Sequence, residues 1–116
     1  MQQNKAGQPA DIIAVKGKYH TLIDCKVCEN GSFPFSRVEE NQRYAMRMFT
    51  RRCGELCYFA LKTFINDKDE IRMISLSRIE TLESRGRKQL SARDMETQTW
   101  SLGKWLDSSD TWAEDI

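Results

Sequence analysis

The sequence contains one histidine, His20, in 116 residues, so clusters of histidine are excluded as catalytic or metal sites. No apolar run approaches the roughly 20 residues that a membrane-spanning helix needs. The first residues, 1–4, lack the basic-then-apolar pattern of a secretory signal. These absences predict a soluble, cytoplasmic protein, and the length predicts one domain with a single core.

Neither sign of charge is in large excess, since the formal net charge is +1. The charges are unevenly distributed, because residues 1–62 carry ten Lys or Arg and six Asp or Glu, whereas residues 63–116 carry eight and eleven. A basic half is suited to an anionic partner, although ordinary surface charge gives the same mild asymmetry. Residues 107–116 carry four acids and no base, which predicts an acidic, solvated C-terminal tail.

Strand, turn and cap signals predict the element order β-β-α-β-β-α-α, which is typical of an α/β domain with a mixed sheet. Residues 1–8 are expected to form a loose segment, and residues 9–106 the domain. The predicted elements are a hairpin (11–15 and 19–27), a helix from a capping box at Ser36 to about Cys53 with Gly54 as its stop, strands 56–64 and 70–75, a short helix from Ser77, and a helix from Ser91 to about Asp107.

Two acids and a lysine interrupt the apolar pattern of the predicted hairpin. Because side chains alternate along a strand, Asp24 and Lys26 share one face with Leu22. Ile23, Cys25 and Val27 share the other face, which is apolar and is expected to be buried. The adjacent strand of the hairpin can bring Asp11 next to Asp24.

Two carboxylates held close together raise each other's pKa unless a cation lies between them. Mg²⁺ and Mn²⁺ are hard ions that favour such oxygen ligands. A lysine beside such an ion can orient or deprotonate a water, or stabilise charge that develops on a phosphate. The pattern of Asp11, Asp24 and Lys26 therefore fits phosphodiester hydrolysis, although a weak surface pair of Asp24 and Lys26 is the alternative that so short a pattern leaves open.

The wider run of residues resembles the PD-(D/E)xK nuclease superfamily, and within it the RecU-type Holliday junction resolvases, also called the penicillin-binding-protein-related factor A family. The resemblance extends over residues 8 to 64. The matching stretches are Pro9-Ala10-Asp11, Asp24-Cys25-Lys26, Gly31-Ser32-Phe33-Pro34-Phe35-Ser36 and Glu40-Asn41-Gln42. It implies a restriction-endonuclease-like fold and a metal-dependent DNA endonuclease that works as a homodimer on branched or duplex DNA in recombination or repair.

The same resemblance assigns roles to individual residues. It implies that Asp11, Asp24 and the backbone carbonyl of Cys25 bind Mg²⁺ or Mn²⁺, that Lys26 is the catalytic lysine, and that Gln42 points into the site. The family usually has a helix with a further acid before the first catalytic strand, whereas residues 1–8 contain no Asp or Glu. This departure leaves open a catalytically inactive nuclease fold that only binds DNA.

Gln42 also stands out without the resemblance. It falls in the apolar stripe of the first predicted helix, at helical spacing with Val38, Ala45 and Phe49. A buried glutamine needs hydrogen-bond partners, which either the backbone or a functional site provides.

Candidate DNA-binding residues are basic side chains at two places. Arg43, Arg47 and Arg51 are spaced by four on the same helix and are suited to phosphate contacts, unless Glu39 pairs with Arg43 or the stripe is simply solvated. Arg87 and Lys88 belong to a short basic loop and form a second candidate.

Four cysteines, at positions 25, 28, 53 and 57, have a spacing that also resembles a zinc site. In that alternative the chain is a zinc-binding module rather than an enzyme. Cys25 inside a predicted strand and Cys57 inside an apolar run argue against it, because small buried hydrophobes are a common role for free cysteine.

Overall fold

A computed structural model describes residues 11–108. In it the chain folds into a mixed sheet with helices on both faces. The predicted loose segment 1–8 and residues 109–116 of the predicted tail lie outside the described residues. The elements are β1 (Ile12–Lys16), β2 (Tyr19–Val27), β3 (Phe33–Pro34), α1 (Glu40–Cys53), β4 (Tyr58–Ile65), β5 (Lys68–Ser75), α2 (Leu76–Ser84), β6 (Gln89–Leu90), α3 (Asp94–Gln98), β7 (Trp100–Ser101) and α4 (Leu102–Asp107).

The main sheet has five strands in the order β1-β2-β4-β5-β7, and β3 and β6 form a separate antiparallel pair. Strands β2 and β4 are parallel, whereas the other neighbours in the main sheet are antiparallel. A parallel pair needs a crossover connection, and α1 is the helix within it. The predicted α/β domain with a mixed sheet is confirmed.

The hairpin forms as predicted. Ile12 pairs with Ile23 at its open end and Lys16 with Tyr19 at its turn. Gly17 occupies the turn with a φ of 60°, a conformation that costs glycine little because it has no Cβ.

The first long helix begins later than predicted. Its N-cap is Glu39 rather than Ser36, because residues 35–37 form a separate turn of 3₁₀ helix and Val38 continues in an extended conformation with its side chain in the core. Glu39 and Gln42 form the capping box instead. The predicted end is confirmed, since α1 finishes at Cys53 and Gly54 has the left-handed φ of 85°.

The predicted helix from Ser91 to Asp107 is wrong as a single element. It is divided into α3 and α4 by β7, which pairs with the edge of β5. The buried guanidinium of Arg72 donates hydrogen bonds to Thr99 Oγ1 at 2.8 Å and to the Thr99 carbonyl at 2.9 Å, and these bonds hold the chain extended just before β7.

The core has two parts, one on each face of the sheet. The larger part contains Phe59, Leu61 and Ile74 from the sheet, with Met46 from α1 and Ile79 from α2. The smaller part contains four buried residues, Ile23, Tyr58, Met73 and Trp105. Within residues 11–108, no helix is both long enough and apolar enough to cross a membrane.

The prediction that the Ile23 face of β2 is buried holds only at one end. Ile23 is buried, but the Cys25 side chain is exposed and 58% of Val27 is accessible. The reason is that Trp105 of α4 packs on Ile23 and Tyr58, and the described part of the chain provides no equivalent cover farther along β2.

Candidate active site

A buried carboxylate lies at the centre of the candidate site. Asp24 lies on the same face of β2 as Leu22, which belongs to the core beneath α1. Its Oδ2 atom is 3.1 Å from Lys26 Nζ, and only 7% of the Asp24 side chain and 13% of the Lys26 side chain are exposed. The Oδ2 atom is shielded from solvent, and apart from this ammonium group no described donor makes a well-aligned hydrogen bond to it.

Burial raises the pKa of Asp24 above its ordinary value. The Lys26 ammonium and a hydrogen bond with Gln42 lower this pKa, whereas the negative charge of Asp11 raises it further. The net shift is upward, so the single ammonium does not fully compensate the loss of solvation. Additional positive charge nearby would therefore stabilise the ionised form of this buried carboxylate.

Asp11 comes directly before β1, at the open end of the hairpin. Its backbone N–H donates to the Ile23 carbonyl at 3.0 Å, and its carboxylate Oδ2 accepts from the Cys25 backbone N–H at 3.1 Å. The structure therefore brings Asp11 to the residue that follows Asp24, close enough for its charge to affect the pKa of Asp24.

Gln42 faces this group from the first turn of α1 and is 6% exposed. Its Oε1 accepts a hydrogen bond from Lys26 Nζ at 3.4 Å and one from the Glu39 backbone N–H at 3.3 Å. The Gln42 side chain also lies close enough to Asp24 to lower the pKa of its carboxyl. Gln42 thus meets its requirement for hydrogen-bond partners through both of the alternatives that the sequence left open, the backbone and the candidate site.

The donor set fits a hard cation only in part. Two carboxylates, those of Asp11 and Asp24, lie at the site, and the described residues contain no group of three or more His, Cys, Asp or Glu able to hold a metal. Mg²⁺ is commonly bound by one or two carboxylates together with water and substrate phosphate, so two are sufficient for that type of site. The Cys25 carbonyl as a third protein ligand stays a prediction.

The four cysteines do not come together. Cys28 and Cys57 are buried in the larger core, whereas Cys25 lies exposed on β2 and Cys53 exposed at the end of α1. All four lie within the described residues, and no three of them form a metal-binding group there. The burial of two cysteines and the exposure of the other two argue against the zinc alternative, as their places in the strand and the apolar run indicated.

The arginine stripe on α1 is not a uniform phosphate-binding surface. Arg43 is buried, and its Nη1 lies 3.0 Å from Glu80 Oε2 and 2.8 Å from Glu83 Oε1. Arg47 also pairs with Glu80 but keeps 54% of its side chain exposed, and Arg51 is exposed. The phosphate contact of Arg43 stays a prediction, and such a contact would have to compete with the two glutamates that α2 places against this arginine.

In the second candidate DNA-binding group, Arg87 and Lys88, one of the two side chains already forms an ion pair. Arg87 pairs with the Asp94 carboxylate, with 41% of the arginine side chain exposed, whereas Lys88 is exposed. Arg47, Arg51 and Lys88 are thus the predicted DNA-binding residues whose side chains the structure leaves most accessible.

Sequence reasoning missed Glu39 as part of the site. Its backbone N–H is one of the two donors to Gln42 Oε1, so the start of α1 is directly connected to Lys26. The sequence contains the signal, because Gln42 follows Glu39 by three positions, as in a capping box. Ser36 followed by Glu39 fits the usual serine-first pattern better and is therefore the preferred prediction.

Comparison with known proteins adds no assignment: no protein-family model matches the chain, and no curated protein matches it significantly.

Proposed function

We propose that this chain is a divalent-metal-dependent DNA endonuclease of the restriction-endonuclease-like fold, similar to RecU-type resolvases and active in the cytoplasm. The observation that carries the proposal is the meeting of Asp24, a buried carboxylate, with the ammonium of Lys26 and the amide of Gln42, next to the carboxylate of Asp11. Buried polar groups brought together on a strand and a helix are typical of a functional site rather than of a solvated surface pair.

Each residue would have a separate task. Asp11 and Asp24 would hold Mg²⁺ or Mn²⁺ together with water and substrate phosphate oxygens. When bound, the ion supplies Lewis-acid polarisation of the phosphate and lowers the pKa of a bound water. Lys26 would stabilise negative charge on the phosphate as it is attacked. Gln42 would orient the Lys26 ammonium through its Oε1 atom.

The test is a cleavage assay with a four-way junction, a linear duplex and a single strand, each with and without Mn²⁺. Wild type is expected to cut at least one substrate in a metal-dependent way. Lys26→Ala should slow the chemical step by about a hundredfold or more, the usual range for loss of an acid–base or charge-stabilising group, without weakening DNA binding. Lys68→Ala, at an exposed position on β5, is the matched control and should retain full activity.

An inactive DNA-binding module is the second candidate, favoured by the finding of only two carboxylates at the site among residues 11–108. Binding of DNA by wild type without cleavage in Mg²⁺ or Mn²⁺ would establish it and overturn the nuclease proposal. Cleavage that Lys26→Ala leaves unchanged would instead contradict the assigned role of Lys26.

Coordinated cutting of both strands at a junction requires two active sites, and a two-fold homodimer provides them. We therefore include a homodimer in the proposal. Sedimentation equilibrium over a range of protein concentrations measures it, and a monomer in the presence of a four-way junction would contradict the resolvase form of the proposal.

A further inference from the structure

The side chain of Gln42 connects the start of α1 to Lys26. Two donors converge on its Oε1 atom, the backbone N–H of Glu39 at 3.3 Å and the ammonium of Lys26 at 3.4 Å. The same side chain lowers the pKa of the Asp24 carboxyl, so it favours the ionised carboxylate.

The orientation of the Gln42 amide decides which of its ends meets the lysine. A glutamine amide has an oxygen that accepts and a nitrogen that donates, and a half-turn exchanges them. The ammonium of Lys26 has donors only, so the reversed amide would bring NH₂ against NH₃⁺. The Glu39 backbone N–H is a second donor on the same side, and it favours the orientation in which oxygen faces the lysine.

We infer that Glu39 is a positioning residue of this site, which acts by fixing the Gln42 amide with its backbone N–H so that Oε1 holds the ammonium of Lys26. This deepens the proposed nuclease function and rests on it. A divalent ion at Asp24 would repel the ammonium from Oδ2, because like charges at such short range repel strongly. Gln42 Oε1 is then the described acceptor that keeps Lys26 within the site.

The backbone at Glu39 permits a direct test. Its φ is −74°, and proline fixes φ at about −65°. The preceding residue, Val38, has the extended conformation that a following proline requires, with φ −83° and ψ 109°. Glu39→Pro therefore removes the N–H donor while the backbone path is retained. Glu39→Ala is the matched control, because it removes the carboxylate and keeps the N–H.

The first measurement is the cleavage rate at saturating Mg²⁺ and DNA, using the full chain. Glu39→Pro should lower kcat about tenfold relative to Glu39→Ala, the factor that one hydrogen bond of ordinary strength represents, with KM for DNA unchanged. Gln42→Leu should lower kcat at least as much. Because both changes remove the same interaction, adding Glu39→Pro to Gln42→Leu should cause little further loss.

The second measurement does not depend on activity. The side-chain amide resonances of Gln42 in an NMR spectrum should shift more in Glu39→Pro than in Glu39→Ala, both before and after Mg²⁺ is added. The Glu39 amide proton of wild type should be protected from exchange, and Gln42→Leu should remove that protection. This exchange experiment needs no proline, so it decides the question even where Glu39→Pro fails to fold.

Three results would overturn the inference: wild-type kcat in Glu39→Pro, fully additive losses in the double variant, or a Glu39 amide that exchanges equally fast in wild type and in Gln42→Leu. Failure of the proposed function is a different result, in which wild type neither binds Mg²⁺ nor cuts DNA. The NMR measurements then still report whether Glu39 orients Gln42 and Lys26.

Discussion

Lys26 Nζ and Asp24 Oδ2 form an ion pair of 3.1 Å that is largely withdrawn from water. The two residues are separated by one position on β2, so the pair follows from the alternation of side chains along a strand. The pKa of Asp24 is nevertheless raised, so this pair does not fully offset the cost of burying the carboxylate. A metal ion at Asp24 must therefore compete with an ammonium group that is already in place.

Asp24→Asn removes the negative charge and keeps the shape of the side chain. Because burial raises the pKa of folded Asp24, ionised Asp24 reduces stability as the pH rises through that folded pKa, and the reduction is absent below the unfolded pKa of about 3.9. Without metal at neutral pH, the variant should therefore melt no lower than wild type, and the difference should vanish in acid. With Mn²⁺, only wild type should gain stability.

Thermal melts with and without Mn²⁺ measure both effects of Asp24→Asn. Asp67→Asn is the matched control, since Asp67 is an exposed turn residue with a φ of 64° that asparagine also tolerates. Equal stabilisation of Asp24→Asn and wild type by Mn²⁺ would show that Asp24 does not bind the metal ion.

Substitution by alanine should lower the stability of the fold much more at Arg43 than at Arg51. Arg43→Ala leaves Glu83 without its cation and Glu80 with Arg47 alone, and should reduce the free energy of unfolding by about 2 kcal/mol. This is less than a fully buried pair would lose, because both glutamates are partly exposed. Arg51→Ala, at an exposed position, should change it by less than about 0.5 kcal/mol.

DNA binding should separate the two arginines again. If α1 faces phosphate, Arg51→Ala should flatten the dependence of log K on log salt concentration by about one unit, and Arg43→Ala should leave the slope unchanged. Urea denaturation measures the free energy of unfolding of both variants. Fluorescence anisotropy at several salt concentrations measures how their DNA affinity depends on salt. A flatter slope for Arg43→Ala alone would show that its ion pairs open to DNA.

Asp94 gives the fold a separate dependence on pH. Burial alone would raise the pKa of its carboxyl, but hydrogen bonds from Ser91 N and Oγ, each 2.9 Å, and the Arg87 guanidinium outweigh it and hold the pKa below its ordinary value. Such a group stabilises the fold above its unfolded pKa, and the effect is lost as the pH falls through the folded pKa.

Asp94→Ala should therefore cost about 1 kcal/mol at pH 7, the size of an ordinary net hydrogen-bond contribution, and much less in strong acid. Urea unfolding of wild type and variant at both pH values measures the difference. Asp69→Asn, on the exposed start of β5, is the control. A cost of Asp94→Ala that stays the same in acid would contradict the assigned role of its charge.

The cysteines should fall into two classes of reactivity. Burial raises the pKa of Cys28 to about 11, and Cys57 is only 1% exposed, whereas Cys25 and Cys53 are accessible. Because the thiolate is the reactive form, a thiol reagent at pH 8 should label the two accessible cysteines in the native protein and the other two only after unfolding. Of the accessible pair, Cys25 should react more slowly, because burial and the charges of Asp11 and Asp24 raise its pKa. Four equal rates, or one equivalent of bound zinc, would contradict this arrangement.

Several features follow from local sequence. The Lys-Gly-Lys turn joins two β-type runs, so the hairpin was predictable, and the alternation along β2 placed Asp24 and Lys26 on one face. Gly54 marked the end of α1 because glycine adopts the left-handed conformation there at little cost. The helical spacing of Gln42 likewise predicted that it would face the sheet. Each of these inferences depends on residues close together in the chain.

Other features depend on how the elements pack. The partners of Arg43 on α2 are 37 and 40 residues away, and no spacing rule connects them. The start of α1 moved to Glu39 because the core takes up Val38, and the last predicted helix divided because β5 accepted β7 as a neighbour. The sequence by itself determined the four long strands, the hairpin turn and the shared face of Asp24 and Lys26, since these depend on local periodicity. Only the tertiary structure decided which charges are buried together and which stay in water, because burial is a property of neighbours that are distant in the chain.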